Sequence, residues 1–199
     1  MKYKYLGVVI DQNLSWKDQI DRVKKKVIKS VYLLRRLRPF INQRTAMLFY
    51  NSIIQSNLDY CSTVWSNGPK SYLNQLQILQ NKSLRIIMNV DCMFSTNTLY
   101  DTLKLDQLQV RWSKLLARTM YKATHKLCPN YLSDIFSVRE SVYCTRSGQG
   151  RLTLPKPKTN YGKRSLTYRG AKLWNELDYP MSIPVSIESF KRYLKTTQL

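Results

Sequence analysis

Residues 15–38 read SWKDQIDRVKKKVIKSVYLLRRLR, the most strongly patterned segment of the chain. The pattern predicts an amphipathic helix with Ser15 as its N-cap and Asp18 in capping-box position. Because proline disfavours helical backbone at the residue before it, Pro39 predicts that the helix ends near Arg38. The apolar side chains recur every three or four residues, which is the period of one helix face: Trp16, Ile20, Val23, Val27, Val31 and Leu34.

The same periodicity predicts more helices on the C-terminal side of this segment. One covers residues 44–59 and is followed by a break at Asn67-Gly68-Pro69. A third helix has Ser71 as its cap, and a fourth opens with Asp106 and Gln109 in capping-box positions. Several helices joined by short breaks predict a bundle packed antiparallel.

The two ends of the chain have a different pattern. Residues 3–10 are rich in β-branched and aromatic side chains and predict one strand without a neighbouring partner, an orphan strand. Beyond Pro129, residues 142–154 predict a β-hairpin around a glycine-containing turn, followed by helices over 165–177 and 186–195. The predicted fold class is therefore mainly α: a helical bundle, preceded by one orphan β-strand and followed by a small α+β module.

The composition is strongly basic. Among 199 residues, 33 Lys and Arg stand against 12 Asp and Glu, a formal net charge of +21, and 43% of the residues are apolar. The apolar share is large enough for a core, and the excess positive charge must then lie at the surface. Such a surface attracts nucleic acid first, anionic membrane second and acidic protein third. No apolar run approaches the about 20 residues of a membrane-spanning helix, so we expect no membrane partner.

The sequence lacks the residue patterns of a self-contained active site. His125 is the only histidine, and the four cysteines form no Cys-x-x-Cys pair, which excludes a zinc finger or knuckle. The six glycines form no phosphate-binding loop, and the acids form no carboxylate cluster. We therefore predict no catalytic residue, no metal and no cofactor. Widely spaced cysteines and the lack of a signal-like segment predict an intracellular protein, nuclear or cytoplasmic and not secreted.

The basic residues are better organised than the composition requires. No acid occurs between Arg22 and Leu58 or between Ser141 and Asn175, and the fourth helix has a one-sided basic stripe. Cations contact phosphates and aromatic rings stack on unpaired bases, although any chain of this charge has basic faces. The predicted nucleic-acid-binding residues are Arg22, Lys25, Lys29, Arg36, Arg111, Lys114, Arg118, Lys122, Lys126, Arg146, Arg151, Lys163, Arg164 and Arg169.

Short motifs follow one another along the chain: Lys4-Tyr5-Leu6-Gly7-Val8-x-Ile10-Asp11, Leu14-x-Trp16, Leu33-x-Arg35-Arg36-Leu37, Leu48-x-Tyr50-x-x-Ile53-Ile54, Tyr60, Val64-Trp65, Leu76-x-x-Leu79-Gln80-Asn81-Lys82-x-Leu84-Arg85-Ile86-Ile87, Thr145-Arg146, Leu154-Pro155-x-Pro157, Gly170-x-x-x-Trp174-Asn175-x-Leu177 and Ser189-Phe190-Lys191-x-x-Leu194-Lys195. Their order and spacing resemble the region downstream of the polymerase core in non-LTR (LINE, jockey-like) retrotransposon reverse transcriptases. The resemblance spans essentially the full chain.

The resemblance implies a domain organisation and a function. It makes residues 1–12 a remnant palm strand, residues 13–128 a helical thumb-like domain that grips template–primer duplex, and residues 129–199 a basic C-terminal α+β module. The family's catalytic aspartates lie upstream of this region, and their Tyr/Phe-x-Asp-Asp motif is absent from this sequence. The resemblance therefore implies a catalytically inert fragment of a longer parent protein, without the polymerase core, that binds RNA or RNA/DNA duplex.

Three hypotheses from different classes remain open at this point. The first is an inert reverse-transcriptase fragment that binds nucleic acid without sequence specificity through basic helix faces. The second is a helical interaction module that binds an acidic protein or an intact reverse transcriptase, and the third is an independent enzyme. A retrotransposon-derived open reading frame without a selected function is a further alternative.

Overall fold

The computed structural model describes residues 1–139, 151–177 and 186–197. The fold is mainly α, as predicted. The chain divides into two compact units, Met1–Gln109 and Val110–Leu199, while the predicted domain boundaries after residues 12 and 128 stay predictions. Within the described residues, no helix combines the length and the apolar character needed to cross a membrane.

The first unit opens with a β-hairpin, so the prediction of one orphan strand is wrong. Strand β1 (Lys2–Tyr5) pairs antiparallel with strand β2 (Val8–Asp11). The connection is Leu6-Gly7, with φ angles of 43° and 82°. Positive φ at both central residues is the geometry of a two-residue hairpin turn. The strand-like run therefore folds back on itself, and each half finds its partner in the other.

Helix α1 (Lys17–Leu37) follows the hairpin and buries the predicted apolar face. It ends one residue before the predicted end, and a 3₁₀ turn over Arg38–Phe40 contains Pro39. The predicted N-cap is wrong, because Ser15 does not cap the helix. Trp16 occupies the cap position with φ 61°, and the Ser15 hydroxyl donates to the Asp11 carboxylate at 3.1 Å.

The predicted second helix forms as one continuous helical run with an irregular centre. It consists of α2 (Gln43–Phe49), a π-helical turn (Tyr50–Gln55) and α3 (Ser56–Asp59). The run has a true N-cap, since the Asn42 side chain accepts from the Thr45 N–H at 2.8 Å. A short helix that the pattern did not predict, α4 (Ser62–Trp65), follows it.

The rest of the first unit consists of α5 (Lys70–Met88) and α6 (Thr96–Leu103). Pro69, not Ser71, is the N-cap of α5, which corrects that prediction. Helix α5 packs against α1. Helix α6 is an element that the sequence pattern did not predict. The centre of the unit is formed by fully buried side chains, among them Ile20, Leu34, Ile54, Trp65, Leu76 and Leu84.

The second unit begins at Val110, inside helix α7 (Leu108–Thr124). Helix α7 is the predicted fourth helix. It continues with α8 (Asn130–Ser133), α9 (Asn160–Arg164), α10 (Leu166–Glu176) and α11 (Ile187–Thr196). The last two helices are the predicted ones. Each has a serine N-cap: the Ser165 side chain accepts from the Tyr168 N–H, and the Ser186 side chain accepts from the Ser189 N–H. Their core is one cluster of buried side chains: Ala117, Met120, Tyr121, Leu152, Ala171, Trp174, Leu177, Phe190 and Leu194.

The predicted hairpin over residues 142–154 lies largely outside the described residues. What the structure describes is an isolated antiparallel bridge between Val138 and Leu152. Its backbone hydrogen bonds join Arg139 N–H to the Arg151 carbonyl at 2.7 Å and Thr153 N–H to the Ser137 carbonyl at 2.8 Å. The described pairing partner of 151–153 is thus the segment 137–139, which the pattern left unassigned.

Candidate nucleic-acid interface

A groove of about 1210 Å³ lies along the α1 and α5 helices of the first unit. Two helical stripes line it. On α1 the stripe has spacings of four, three and four residues and consists of Lys24, Ile28, Val31 and Arg35. On α5 the facing stripe consists of Gln75, Ile78, Lys82 and Arg85. Residues at such spacing lie on one helix face, so the packing of α1 against α5 brings the two stripes together.

The groove is basic. Within the described residues its lining includes five cations and no Asp or Glu, and we call these five the groove cations. A concave surface with charges of one sign concentrates its field, and a positive one attracts phosphates. The groove cations are Lys24, Arg35, Arg38, Lys82 and Arg85.

Three of the groove cations are engaged with the protein itself. Arg38 donates from Nε to the Ile86 and Ile87 carbonyls at 3.2 and 3.1 Å, and from Nη1 to the Ile41 carbonyl at 2.9 Å. Arg85 Nη2 donates to the Phe94 carbonyl at 3.0 Å. Lys24 Nζ donates to Gln75 Oε1 at 2.7 Å, which bridges α1 and α5. These contacts support the walls of the groove.

The other two groove cations are available for a ligand. Arg35 and Lys82 are exposed, and neither has an ion pair or hydrogen bond to any residue that the structure describes. An unpaired surface cation contributes little to folding, but it can neutralise a phosphate without first losing a partner. Arg35 and Lys82 are therefore the two groove cations whose charge is accessible to a polyanion.

The groove also exposes apolar and aromatic surface. Ile28, Tyr32 and Ile78 line it with 43%, 62% and 52% of their surfaces exposed. The Arg36 guanidinium lies 5.9 Å from the centre of the Tyr32 ring. This distance is near the outer limit of about 6 Å for a cation–π contact. The groove thus combines accessible cations with an aromatic ring and two aliphatic side chains.

The four predicted residues of α1 do not line this groove. Lys25, Lys29 and Arg36 are exposed, and their predicted contact with nucleic acid stays a prediction. Arg22 is half-buried, and its Nη1 donates to the Gly7 carbonyl at 2.7 Å. It lines a second, smaller cavity of about 390 Å³ beside the hairpin turn. The predicted α1 residues therefore lie outside the groove lining, which uses other residues of the same helix.

The predicted stripe of α7 is not a uniform surface. Lys122 and Lys126 are exposed, but Arg111 and Arg118 are half-buried and Lys114 is only 8% exposed. Helix α7 buries side chains on more than one side, so its basic spacing does not coincide with one open face. Lys126 also lies beyond the end of α7, at a left-handed residue with φ 54°.

The predicted residues of the C-terminal region are also divided. Arg151 and Lys163 are exposed, and Arg164 and Arg169 are half-buried. Burial lowers the pKa of Arg169 from its ordinary value. Arg146 lies outside the described residues.

Sequence reasoning missed the groove because its cations are divided between two helices. Lys24 and Arg35 flank the apolar arc of α1, where they look like ordinary borders of an amphipathic helix. Lys82 and Arg85 lie in the longest family-like motif, but their meeting with α1 depends on tertiary packing. The available signal was the mixed stripe of basic and apolar residues at helical spacing in both segments.

The described residues contain no group of three or more His, Cys, Asp and Glu side chains placed to hold a metal ion. Three of the cysteines, Cys61, Cys92 and Cys128, are free thiols.

Comparison with known proteins gives matches to one kind of protein. The chain is 29% identical over 106 residues to a probable RNA-directed DNA polymerase from transposon X-element of Drosophila melanogaster. It is 30% identical over 110 residues to the RNA-directed DNA polymerase from mobile element jockey of the same species. The jockey polymerase of Drosophila funebris is 26% identical over 111 residues. This chain is similar to a region of non-LTR retrotransposon reverse transcriptases. The resemblance is thereby confirmed for about half of the chain, and its predicted extension over essentially the full chain stays a prediction.

The extent of the match is limited on both sides. It covers 51–54% of this chain and 12% of each of these polymerases. The matched half of the chain therefore corresponds to a small region of proteins that are much longer. No family model and no solved structure matches the chain.

Proposed function

We propose that this chain binds nucleic acid without sequence specificity, and that its groove between α1 and α5 is the main contact surface. One observation supports this proposal above the others: the described groove lining has five cations and no carboxylate. The similarity to reverse transcriptases, which act on nucleic acid, makes phosphates the expected anions. RNA and RNA/DNA duplex are the proposed ligands.

The proposed contact is electrostatic. Arg35 and Lys82 contact phosphates inside the groove, while Lys25, Lys29 and Arg36 extend the positive surface along the exposed side of α1. Each phosphate that a cation neutralises releases condensed counterions, so affinity falls with rising salt. Phosphate contacts position a protein on nucleic acid without reading the bases. The proposal therefore includes no preferred sequence.

We also propose that the chain has no polymerase activity by itself. The support is the sequence, which lacks the Tyr/Phe-x-Asp-Asp motif of the family. A primer-extension assay with magnesium tests this, and we expect no nucleotide incorporation. Incorporation that is lost in an Asp11→Asn variant would contradict the proposal. The proposed place of action is inside the cell, in the nucleus or the cytoplasm.

A charge-matched pair of variants tests the groove. Arg35→Gln/Lys82→Gln removes both accessible groove cations, whereas Lys70→Gln/Lys104→Gln removes two exposed cations elsewhere in the first unit. Both doubles reduce the formal net charge from +21 to +19, a difference of two cations. The measurement is fluorescence anisotropy with labelled RNA and RNA/DNA duplex at several salt concentrations.

The two doubles are expected to differ in their salt dependence. Loss of two phosphate contacts lowers the slope of log affinity against log salt by about 1.4 to 1.8. We expect this change for the groove double and almost none for the control. Equal slopes in both doubles would show that binding follows net charge and not the groove. Wild-type protein that fails to bind, or binds independently of salt, would disprove the proposed function.

A second candidate function is supported by the apolar part of the groove. Exposed Ile28 and Ile78 beside the groove cations also suit an acidic amphipathic helix from a partner, including an intact reverse transcriptase. Pull-down of a reverse transcriptase with and without nuclease separates the candidates. Capture that resists nuclease favours protein contact, and capture that nuclease removes favours nucleic acid.

A further inference from the structure

We infer that the groove between α1 and α5 accepts an unpaired strand, with Tyr32 as a stacking platform for a base and Arg35 and Lys82 as its phosphate contacts. This inference rests on the proposed function and adds the kind of nucleic acid that the groove selects. The observation behind it is the placement of an exposed aromatic ring among accessible cations in one concave surface.

Tyr32 does not belong to the core of the first unit. Its side chain is 62% exposed, whereas the core residue Tyr50 is fully buried. The Tyr32 hydroxyl makes no hydrogen bond to any residue that the structure describes. The Arg36 guanidinium, at 5.9 Å from the ring centre, does not hold the ring tightly. Tyr32 is therefore an aromatic surface that is available to a ligand.

The neighbouring side chains make the same surface apolar. Ile28 lies one turn before Tyr32 on α1, and Ile78 lines the groove from α5, each with about half of its surface exposed at 43% and 52%. Water contact with such side chains is unfavourable, and burial of them by a ligand gains free energy in proportion to the apolar area covered. The ligand that covers them must itself offer apolar area.

This requirement distinguishes unpaired strands from duplexes. A duplex keeps its base faces stacked inside and presents phosphates and sugars to a protein surface, so it satisfies the groove cations but not the aromatic and aliphatic side chains. An unpaired strand offers both, because its backbone contacts cations while its base faces stack on aromatic rings. The described lining of the groove matches the second case.

The size of the groove is consistent with a polymer segment. At about 1210 Å³ it exceeds the about 300–1,000 Å³ that is usual for small-ligand pockets. Its two stripes extend from Lys24 to Arg35 on α1 and from Gln75 to Arg85 on α5, which is about three turns of each helix. A short stretch of strand can therefore follow the groove past Tyr32 and both accessible cations.

The experiment compares one short RNA in single-stranded form and as an RNA/DNA duplex, with the full chain and three variants. Tyr32→Ala removes the ring, Tyr32→Phe keeps the ring without the hydroxyl, and Tyr5→Ala removes an exposed ring of β1 that lies outside the groove lining. Fluorescence anisotropy gives the affinity of each pair. Circular dichroism melting verifies that each variant is folded.

We expect Tyr32→Ala to weaken binding of the single strand about 5- to 150-fold, the value of one base–aromatic stack, and to leave duplex binding almost unchanged. Tyr32→Phe and Tyr5→Ala are expected to bind like wild type. A Tyr32→Ala variant with unchanged single-strand affinity, or with equal losses for both ligands, would overturn the inference and leave the proposed function intact. Wild-type protein that binds neither ligand would disprove the proposed function itself.

A competition experiment examines the other occupant of the groove. An acidic amphipathic peptide is added to the complex of the full chain with the single strand. We expect it to displace the strand no better than a scrambled peptide of the same charge. Displacement by the amphipathic peptide but not by the scrambled one would assign the groove to a protein partner instead, if Tyr32→Ala also weakens binding of the amphipathic peptide.

Discussion

The carboxylate of Asp11 accepts a hydrogen bond from the backbone N–H of Trp16 at 3.0 Å, and this contact joins the hairpin to the first turn of α1. The same carboxylate accepts from the N–H groups of Asn13 and Ser15 at 3.0 Å each and from the Ser15 hydroxyl at 3.1 Å. Asp11 is only 8% exposed. Asp11 therefore accepts hydrogen bonds from the backbone N–H groups of the turn that connects β2 to α1.

Asp11→Ala is expected to lower the free energy of unfolding by about 1–3 kcal/mol, because it leaves several N–H groups without their acceptor. The matched control is Asp18→Ala, which removes a surface ion pair with Lys2 at 2.7 Å and an acidic side chain in the first turn of α1. It should cost about 1 kcal/mol or less. Urea unfolding followed by circular dichroism measures both. Equal losses in the two variants would contradict the role given to Asp11.

The same carboxylate predicts an acid-dependent loss of stability. Burial raises the pKa of Asp11, but the hydrogen bonds from Ser15, Trp16 and Asn13 outweigh it and hold the pKa below the ordinary 3.8. A group with a lowered folded pKa stabilises the protein above its unfolded pKa and loses this effect as the pH falls through the folded pKa. The stability gap between wild type and Asp11→Asn should be full near pH 6 and shrink below about pH 4. A gap that does not change with pH would disprove this prediction.

Tyr100 predicts a loss of stability at the alkaline end. Its hydroxyl accepts from Gln77 Nε2 at 2.6 Å and lies 2.8 Å from Gln80 Oε1 and 2.6 Å from Asn81 Oδ1. Burial raises the pKa of Tyr100 to about 12, against the opposing effects of the Gln77 hydrogen bond and the Arg85 charge. The folded state therefore prefers the neutral phenol. The stability it contributes is full below the ordinary pKa of 10 and is lost as the pH rises towards 12.

Tyr100→Phe is the variant that isolates this group. It should lower the free energy of unfolding by about 1–3 kcal/mol at neutral pH, since the amides around the hydroxyl lose a buried partner. The difference between the ultraviolet titrations of wild type and variant should show one tyrosine that ionises later than an exposed one. The exposed Tyr5→Phe is the control, and it should leave the free energy of unfolding within about 0.5 kcal/mol of wild type. A difference titration of Tyr100→Phe with its midpoint at or below the ordinary tyrosine pKa of 10 would contradict the prediction.

Gly170 marks a close approach of α10 to α7 inside the second unit. A Cβ atom at this buried position would overlap the sulfur of Met120 and lie 3.2 Å from its methyl carbon. Gly170→Ala should therefore lower the free energy of unfolding by about 1–3 kcal/mol through overpacking. In a Met120→Ala background the same substitution should cost less, because the clashing atoms are absent. Strict additivity in thermal or urea unfolding would show that another contact is responsible.

Periodicity predicted the long helices well, because their apolar faces are covered, whereas the local cap signals at Ser15 and Ser71 were misleading. The turn at Leu6-Gly7 was hidden within a continuous strand-like run, so two strands were taken for one. The basic stripe of α7 was predicted from spacing alone, but spacing does not show that Lys114 is buried. The groove was missed for the same physical reason: Arg35 and Lys82 are 47 positions apart in the chain, and only tertiary packing brings their helices together.

Two arginines of one groove have different roles, and a conservative substitution separates them. Arg38 uses its guanidinium to satisfy the last carbonyls of α5, Ile86 and Ile87, together with the Ile41 carbonyl, whereas Arg35 is exposed and makes no hydrogen bond to any described residue. Lysine keeps the positive charge, but its ammonium group cannot donate to several carbonyls in the fixed planar geometry of the guanidinium. Arg38→Lys should therefore lower the free energy of unfolding by about 1–3 kcal/mol, since three part-buried carbonyls lose a donor.

Arg35→Lys is the matched control for this substitution, and it should leave both stability and nucleic-acid affinity close to the wild-type values. Arg35→Gln should weaken nucleic-acid binding and reduce its salt dependence while the free energy of unfolding stays within about 0.5 kcal/mol of wild type. Urea unfolding and anisotropy on the same protein samples measure both properties. If Arg35→Gln lowers the free energy of unfolding as much as Arg38→Lys does, Arg35 stabilises the fold, and its proposed role as a free phosphate contact is wrong.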